Sequence, residues 1–233
     1  MKSKKELEKN CINENIKLQN LGLVIQSFGN VSIRINNNHF FIKPSGINPK
    51  KLKNIDCPII RIQDGLKIYG KYKPSTDMQT HLELYKKFKE LNSIAHCHSK
   101  YATAWAQASK SIPLLGTTHA DYWEKEIPLI DYISKKELNK NYEMFTGKLI
   151  VNKLIKLQTN TIKCPGVIVA GHGVFSWSTR LEGAVLNCEL IEYIAELAYL
   201  SSQIGIRKKI PNYISKKHFD RKHGKNAYYG QKR

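Results

Sequence analysis

Apolar side chains recur at helical spacing from Lys4 to Leu21, among them Leu7, Cys11, Ile16 and Leu18, so the chain opens with a predicted helix. The pattern then shortens. "LVIQSFGNVSIRIN" and "HFFIKPSG" read as a strand pair turning around Asn36 to Asn38, and "PIIRIQDGLKIYG" as a hairpin turning at Asp64 and Gly65. "STDMQTHLELYKKFKEL" sets a capping residue, Thr76 or Asp77, ahead of a helix whose inner face is Leu82, Leu84, Tyr85 and Phe88. "SIAHCH" returns as a strand, a helix covers Lys100 to Ala108, and "HADYWEKEIPLIDY" is an irregular segment ending in a strand. "KELNKNYEMFTGKLIVNKLIKL" is mostly helical, and "GVIVAGHGVFSWS" is a strand interrupted by glycines. "TRLEGAVLNCELIEYIAELAYLSSQIG" is a long helix with Thr179 and Glu182 as a capping box. Strand runs alternating with helices predict an α/β/α sandwich. The last stretch, 207–233, is basic and lacks a long apolar stripe, and no repeat or linker divides the rest, so the 233 residues are expected to form one domain.

No apolar run approaches the roughly 18 residues of a membrane span, and "MKSKKELEKN" lacks the apolar centre of a signal peptide, which points to the cytoplasm. Five cysteines without a CxxC spacing fit reduced thiols and disfavour cysteine-ligated zinc. The formal net charge of +19 invites a nucleic-acid reading. Its lysines are dispersed, however, and accompany many Asn and Ile, as in "VNKLIKLQTNTIK". The charge is therefore read as a solvated face that attracts anionic metabolites, not as a nucleic-acid surface.

Candidate chemistry begins at "SIAHCHS". On a strand, His96 and His98 share one face while Cys97 points to the other, so both imidazoles can reach one ion. An HxH alone is a weak signal. His172 strengthens it, because Gly171 and Gly173 free the backbone to turn sharply at the end of an apolar strand. Three histidines with an open fourth position describe a catalytic site more than a closed structural one. Asp77, at a helix start, is either a cap or a carboxylate within reach of the metal. An anion would find backbone N–H groups at Ser45 and Gly46, hydroxyls at Ser75 and Thr76, and charge and a donor at Lys43 and Asn30.

Seven motifs stand in one order: "GNVS" with Gly29 and Asn30, "KPSG" at Lys43 to Gly46, "KPSTDMQTH" at Lys73 to His81, "HCHS", "WAQASKSIPLLGTTHADY", "GHGVF" and "KHGKNAYYGQ". Together they resemble the L-ribulose-5-phosphate 4-epimerases of the class II aldolase/epimerase superfamily, over nearly the whole chain. The resemblance implies a single-domain α/β/α sandwich around a central, mainly antiparallel sheet. It also implies one zinc per chain on His96, His98 and His172 with Asp77 at the same metal site, manganese or cobalt being other ions such donors accept. The implied substrate is a phosphorylated pentulose, bound by Gly29, Asn30, Lys43, Ser45, Gly46, Ser75 and Thr76. Retro-aldol cleavage of its C3–C4 bond and re-addition to the other aldehyde face would invert C4. Asp121 and Tyr229 are then the proton acceptor and donor.

The resemblance further implies a four-fold homotetramer with shared sites, in which the 207–233 tail brings Tyr229, His218 and Arg221 to a neighbour. Related aldolases of the L-fuculose-1-phosphate type carry Glu where Asp77 stands, so Asp77 favours the epimerase over an aldolase or dehydratase. A non-catalytic scaffold domain would be marked by loss of the histidines, and none is lost. The chain departs from the pattern in three places: Thr76 replaces a serine, Val174 replaces a proline, and Leu129, Ile130 and Asp131 stand where relatives have a Thr-Arg pair.

Overall fold

The computed structural model describes residues 2–52, 57–205, 208–225 and 227–230. In chain order the elements are α1 (Lys4–Asn20), β1 (Asn30–Arg34), β2 (His39–Ile42), β3 (Ile59–Arg61), β4 (Lys67–Tyr69), α2 (Met78–Lys87), β5 (Ser93–Cys97) and α3 (Lys100–Gln107). They continue with α4 (Thr117–Ala120), β6 (Leu129–Ile130), α5 (Lys135–Leu138), α6 (Tyr142–Lys156), β7 (Gly166–Val169), β8 (Gly173–Ser178), α7 (Gly183–Ile204) and α8 (Asn212–His223). The strands form one sheet in the order β4-β3-β2-β1-β5-β8-β7-β6. Every pairing is antiparallel except β6 with β7. Among the described residues no helix is long and apolar enough to cross a membrane.

Register decides which helices cover which face. Ser32 of β1 lies opposite Ile94 of β5, which lies opposite Trp177 of β8, so all three point to one side. The Ser32 hydroxyl meets His81 and Tyr85 of α2 there, and α2 packs on α6. Ser93 and Ser176 alternate to the other side, where their hydroxyls engage Ala184 at the start of α7. α1 and α3 pack against α7. Helices thus cover both faces of a mainly antiparallel sheet, and every residue of β1 and β5 is buried.

Three local expectations are corrected. "LVIQSFGNVSIRIN" is extended only from Asn30, because Gln26 (φ 55) and Gly29 (φ 76) fold the preceding residues into a turn. "GVIVAGHGVFSWS" is two antiparallel strands joined by a tight turn at Ala170 to His172. Thr179 and Glu182 form no capping box: Glu182 occupies the N-cap position without a side-chain bond, and Ser178 Oγ accepts from Arg180 N–H instead. A Cβ on Gly183 would collide with Ser178, so only glycine lets α7 start this close to the end of β8. The capping boxes belong to Ser3 with Glu6 and Ser134 with Glu137. The polar tail, for which the apolar pattern predicts no element, contains a helix, α8, with Phe219 as its one buried residue, in keeping with the lack of a long apolar stripe; Asn226 and Gln231 of its motif lie outside the described residues.

Candidate active site

Three elements meet near the sheet centre. Asn30 at the start of β1 lies opposite His96 near the end of β5, and His96 lies opposite Phe175 of β8. The turn between β7 and β8 brings His172 to the same end. Gly171 takes φ +64, which L side chains rarely adopt, and a Cβ on Gly173 would sit 2.5 Å from the Cys97 carbonyl and 2.9 Å from the His98 ring. One glycine supplies the turn and the other supplies the space for His98.

The three imidazoles converge. His96 Nε2 lies 3.0 Å from His98 Nε2 and 3.1 Å from His172 Nε2, and one ligand atom from each histidine fits within a 4.8 Å cluster. Two nitrogens about 2.05 Å from a tetrahedral ion would stand about 3.3 Å apart, close to this spacing. His96 Nδ1 donates to the Val174 carbonyl at 2.7 Å, which leaves the Nε2 lone pair pointing into the cluster. Burial first, and a neighbouring imidazole second, pull His96 and His172 down to about 3, and burial lowers His98 against the opposing charge of Asp77, so all three are neutral ligands at pH 7. His96 is buried and stacks on Phe175, whereas His98 is exposed and stacks on exposed Phe28, so the cluster opens to solvent on the His98 side. The donor set fits a divalent ion with a free coordination position.

Asp77 sits beside this cluster. It holds the N-cap position of α2 but makes no capping bond; its carboxylate accepts from Asn30 Nδ2 at 2.8 Å and lies 3.8 Å from His96 Nε2. α2 is pinned to β1 along its length. Ser32 Oγ meets His81 Nδ1 at 2.7 Å and the Tyr85 hydroxyl at 2.9 Å. At the far end the buried Arg34 guanidinium donates to the carbonyls of Tyr85, Phe88 and Leu91, which include carbonyls at the end of the helix. A fixed helix therefore fixes Asp77.

His81 gives a stability prediction. Burial pulls it down to about 3, so the folded chain keeps it neutral while an unfolded chain protonates it below about pH 6.5. Its contribution to stability is full above that pH and declines as pH falls toward 3. Urea denaturation of metal-free protein between pH 6.5 and 4 should show wild type losing about 1.4 kcal/mol more per pH unit than His81→Gln. Equal slopes would contradict a neutral buried His81.

The two Lys-Pro-Ser motifs run side by side. Ser45 N–H donates to Lys73 O and Ser75 N–H to Lys43 O, with Pro44 opposite Pro74. The Ser45 N–H is thus occupied by backbone, against the expectation that it is free for an anion, while Gly46 (φ 70) lies in an exposed turn. Ser75 Oγ accepts from Asn30 Nδ2, and Thr76 is exposed at the start of α2. Lys43 is buried, donates to Ser27 O and Pro44 O, and is pulled by burial down to about 8, so it stays charged at pH 7. Gly29 lets β1 approach β5, since a Cβ there would lie 2.8 Å from the His96 carbonyl.

The remaining predicted residues form a second cluster. Arg221 grips Asp121 with two bonds of 3.0 and 2.6 Å, His218 Nδ1 donates to it at 3.1 Å, and His223 bonds the Asp121 carbonyl oxygen at 2.9 Å. Burial alone would raise the Asp121 carboxyl, but the bonds from Arg221 and His218 outweigh it and hold it below its ordinary value. Tyr228 and Tyr229 N–H groups donate to Arg221 O, and the Tyr229 ring lies 4.9 Å from the Arg221 guanidinium and 4.3 Å from Lys222 Nζ. Among the described residues no hydrogen bond, ion pair or ring contact joins this cluster to the three histidines. Tyr142 and Phe28 are neighbours that neither periodicity nor a motif reveals; Ser32, His81 and Lys222 lie in motifs, but their contacts do not follow from them.

Residues 10–199 match the Class II Aldolase and Adducin N-terminal domain, and the chain belongs to that family. It is 40% identical over 229 residues to the L-ribulose-5-phosphate 4-epimerase UlaF of Salmonella paratyphi B, covering 97% of this chain and 99% of that one. It is likewise 40% identical over 230 residues to UlaF of Salmonella typhi, with the same coverage. Among solved structures, an L-fuculose 1-phosphate aldolase superposes with a TM-score of 0.79 at 23% identity, covering 95% of this chain and 97% of that one. The L-fuculose-1-phosphate aldolase of Thermus thermophilus gives 0.67 at 20% identity, covering 88% and 98%. At these identities the structures establish the fold.

Proposed function

We propose that this chain is a zinc-dependent, cytoplasmic epimerase that interconverts L-ribulose 5-phosphate and D-xylulose 5-phosphate by cleaving and re-forming the C3–C4 bond. One observation carries the reading: three neutral imidazoles converge with an open side in a chain that matches 4-epimerases along nearly its full length. His96, His98 and His172 would hold the ion. Bound there, zinc supplies a Lewis acid for the keto and hydroxyl oxygens of the sugar phosphate. Asp77, held by Asn30, contributes a carboxylate beside the same position.

The protein's own groups do the rest. The Ser75 and Thr76 hydroxyls at the start of α2 and the Gly46 turn face the substrate phosphate, while the Lys43 charge lies beneath the paired turns. Inversion at C4 requires the aldehyde fragment to turn over, so the C4 oxygen loses a proton on one face and gains one on the other. Asp121, kept ionised by Arg221, is suited to accept a proton, and the exposed Tyr229 hydroxyl to donate one. Both stand in a cluster of their own within one chain, which supports an assembly in which each chain supplies this cluster to a neighbour's histidines; the family resemblance makes that assembly a ring of four. Product analysis tests the reaction: NMR of L-ribulose 5-phosphate with zinc-loaded protein should show D-xylulose 5-phosphate as the product. Net accumulation of two cleavage fragments in its place would assign the site to an aldolase.

A further inference from the structure

Each imidazole that binds an ion through Nε2 needs its ring fixed by something at Nδ1 or by packing. His96 has both, in the Val174 carbonyl and the Phe175 ring. His172 stands between two glycines on a tight turn closed by a 3.0 Å bond from its N–H to Val169 O, so local backbone gives its ring little restraint. Its partner comes from 30 residues earlier in the chain: the Tyr142 hydroxyl lies 2.8 Å from His172 Nδ1, with the two rings near parallel at 21° and 5.7 Å between centroids.

Tyr142 is itself rigidly mounted. It is the first residue of α6, whose start is capped by Asn141 accepting from Met144 N–H at 2.8 Å. Thr146 Oγ1 donates to the Tyr142 carbonyl, and Thr80 Oγ1 donates to Glu143 O, tying this turn to α2. His172 Nε2 faces His96 Nε2, so a lone pair directed at an ion requires the ring proton on Nδ1, where the Tyr142 oxygen accepts it. We propose that Tyr142 is a positioning residue that sets the tautomer and rotation of His172 as the third metal ligand. The inference rests on the metal reading above and concerns a residue outside every motif that carries the family resemblance.

The test titrates zinc alone into metal-depleted protein against a chromophoric chelator and records the visible spectrum of the cobalt-loaded form. Tyr142→Phe keeps the ring and removes only the hydroxyl. It should bind zinc about 10- to 100-fold more weakly than wild type and shift the cobalt absorption bands, while its metal-free thermal midpoint is unchanged. Tyr132→Phe, which alters the ring packed over Gly171, should retain wild-type affinity. Zinc affinity of Tyr142→Phe within about threefold of wild type, with an unaltered cobalt spectrum, overturns the role of Tyr142 and leaves the metal reading standing. A wild type that binds no divalent ion overturns the metal reading and this inference with it. Should Tyr142→Phe fail to fold, zinc-loaded wild type decides alone: its imidazole nitrogen NMR should show a His172 Nδ1 proton protected from exchange, and exchange as fast as in a free imidazole overturns the proposal.

Discussion

His98→Asn leaves a folded chain that has lost its metal and about a thousandfold of its turnover. His98 lies just past the end of β5, exposed, and its ring packs on exposed Phe28, so little of the core depends on it. Its Nε2 is nonetheless one of three atoms that close the cluster. A Lewis acid at a carbonyl contributes several kcal/mol to a barrier, and each 1.36 kcal/mol is tenfold in rate, which gives about a thousand. Metal analysis of purified protein should find about one ion per wild-type chain and a small fraction of that in His98→Asn, with equal thermal midpoints for the metal-free forms. Full metal content and near-normal turnover in His98→Asn would remove this histidine from the site.

A chain ending at His223 binds zinc normally and is inactive, and mixing it with His98→Asn restores activity. The truncation removes Tyr229 but keeps His218, Arg221 and the three histidines, and the second chain keeps its tail while losing its metal. In a ring of four made from equal amounts, half the positions hold an intact triad and half of those follow a neighbour with an intact tail. Recovery should therefore reach about a quarter of wild-type activity in mixed tetramers isolated by two tags. Confirmed mixed tetramers no more active than either parent would mean that the tail serves its own chain, and the neighbouring-chain part of the proposal would fall.

The sandwich was legible because its central strands and long helices carry clear periodicity, and because most pairings join neighbours in the chain. Its errors have local causes. "GVIVAGHGVFSWS" looks like one strand because both halves are buried and apolar, and only the positive φ at Gly171 makes it a hairpin. α8 was invisible to periodicity because charge fixes it, through Arg221 and His218 on Asp121, and it buries one aromatic ring. Thr179 matched a capping spacing, yet the approach of α7 to Ser178 moved the helix start to Gly183.

For the site, alternation on β5 predicted that His96 and His98 share a face, and two flanking glycines flagged His172. Asp77 carried two readings in the sequence, and its missing capping bond together with the Asn30 contact turns it toward the histidines. Tyr142 had no sequence signal, since nothing in a helical run announces a hydrogen bond to a turn far along the chain. The family resemblance pairs Asp121 with Tyr229 by role, and only the folded chain shows that they, His218 and Arg221 form one cluster.

The central claim is that C4 epimerisation depends on an ion held by His96, His98 and His172. Zinc titration of metal-depleted protein, with conversion of L-ribulose 5-phosphate followed at each addition, tests it most directly. Activity should be absent at the start, rise in proportion to bound zinc and level off at about one ion per chain. Full activity in protein shown to be free of metal, or no conversion after one ion per chain has bound, would contradict the account.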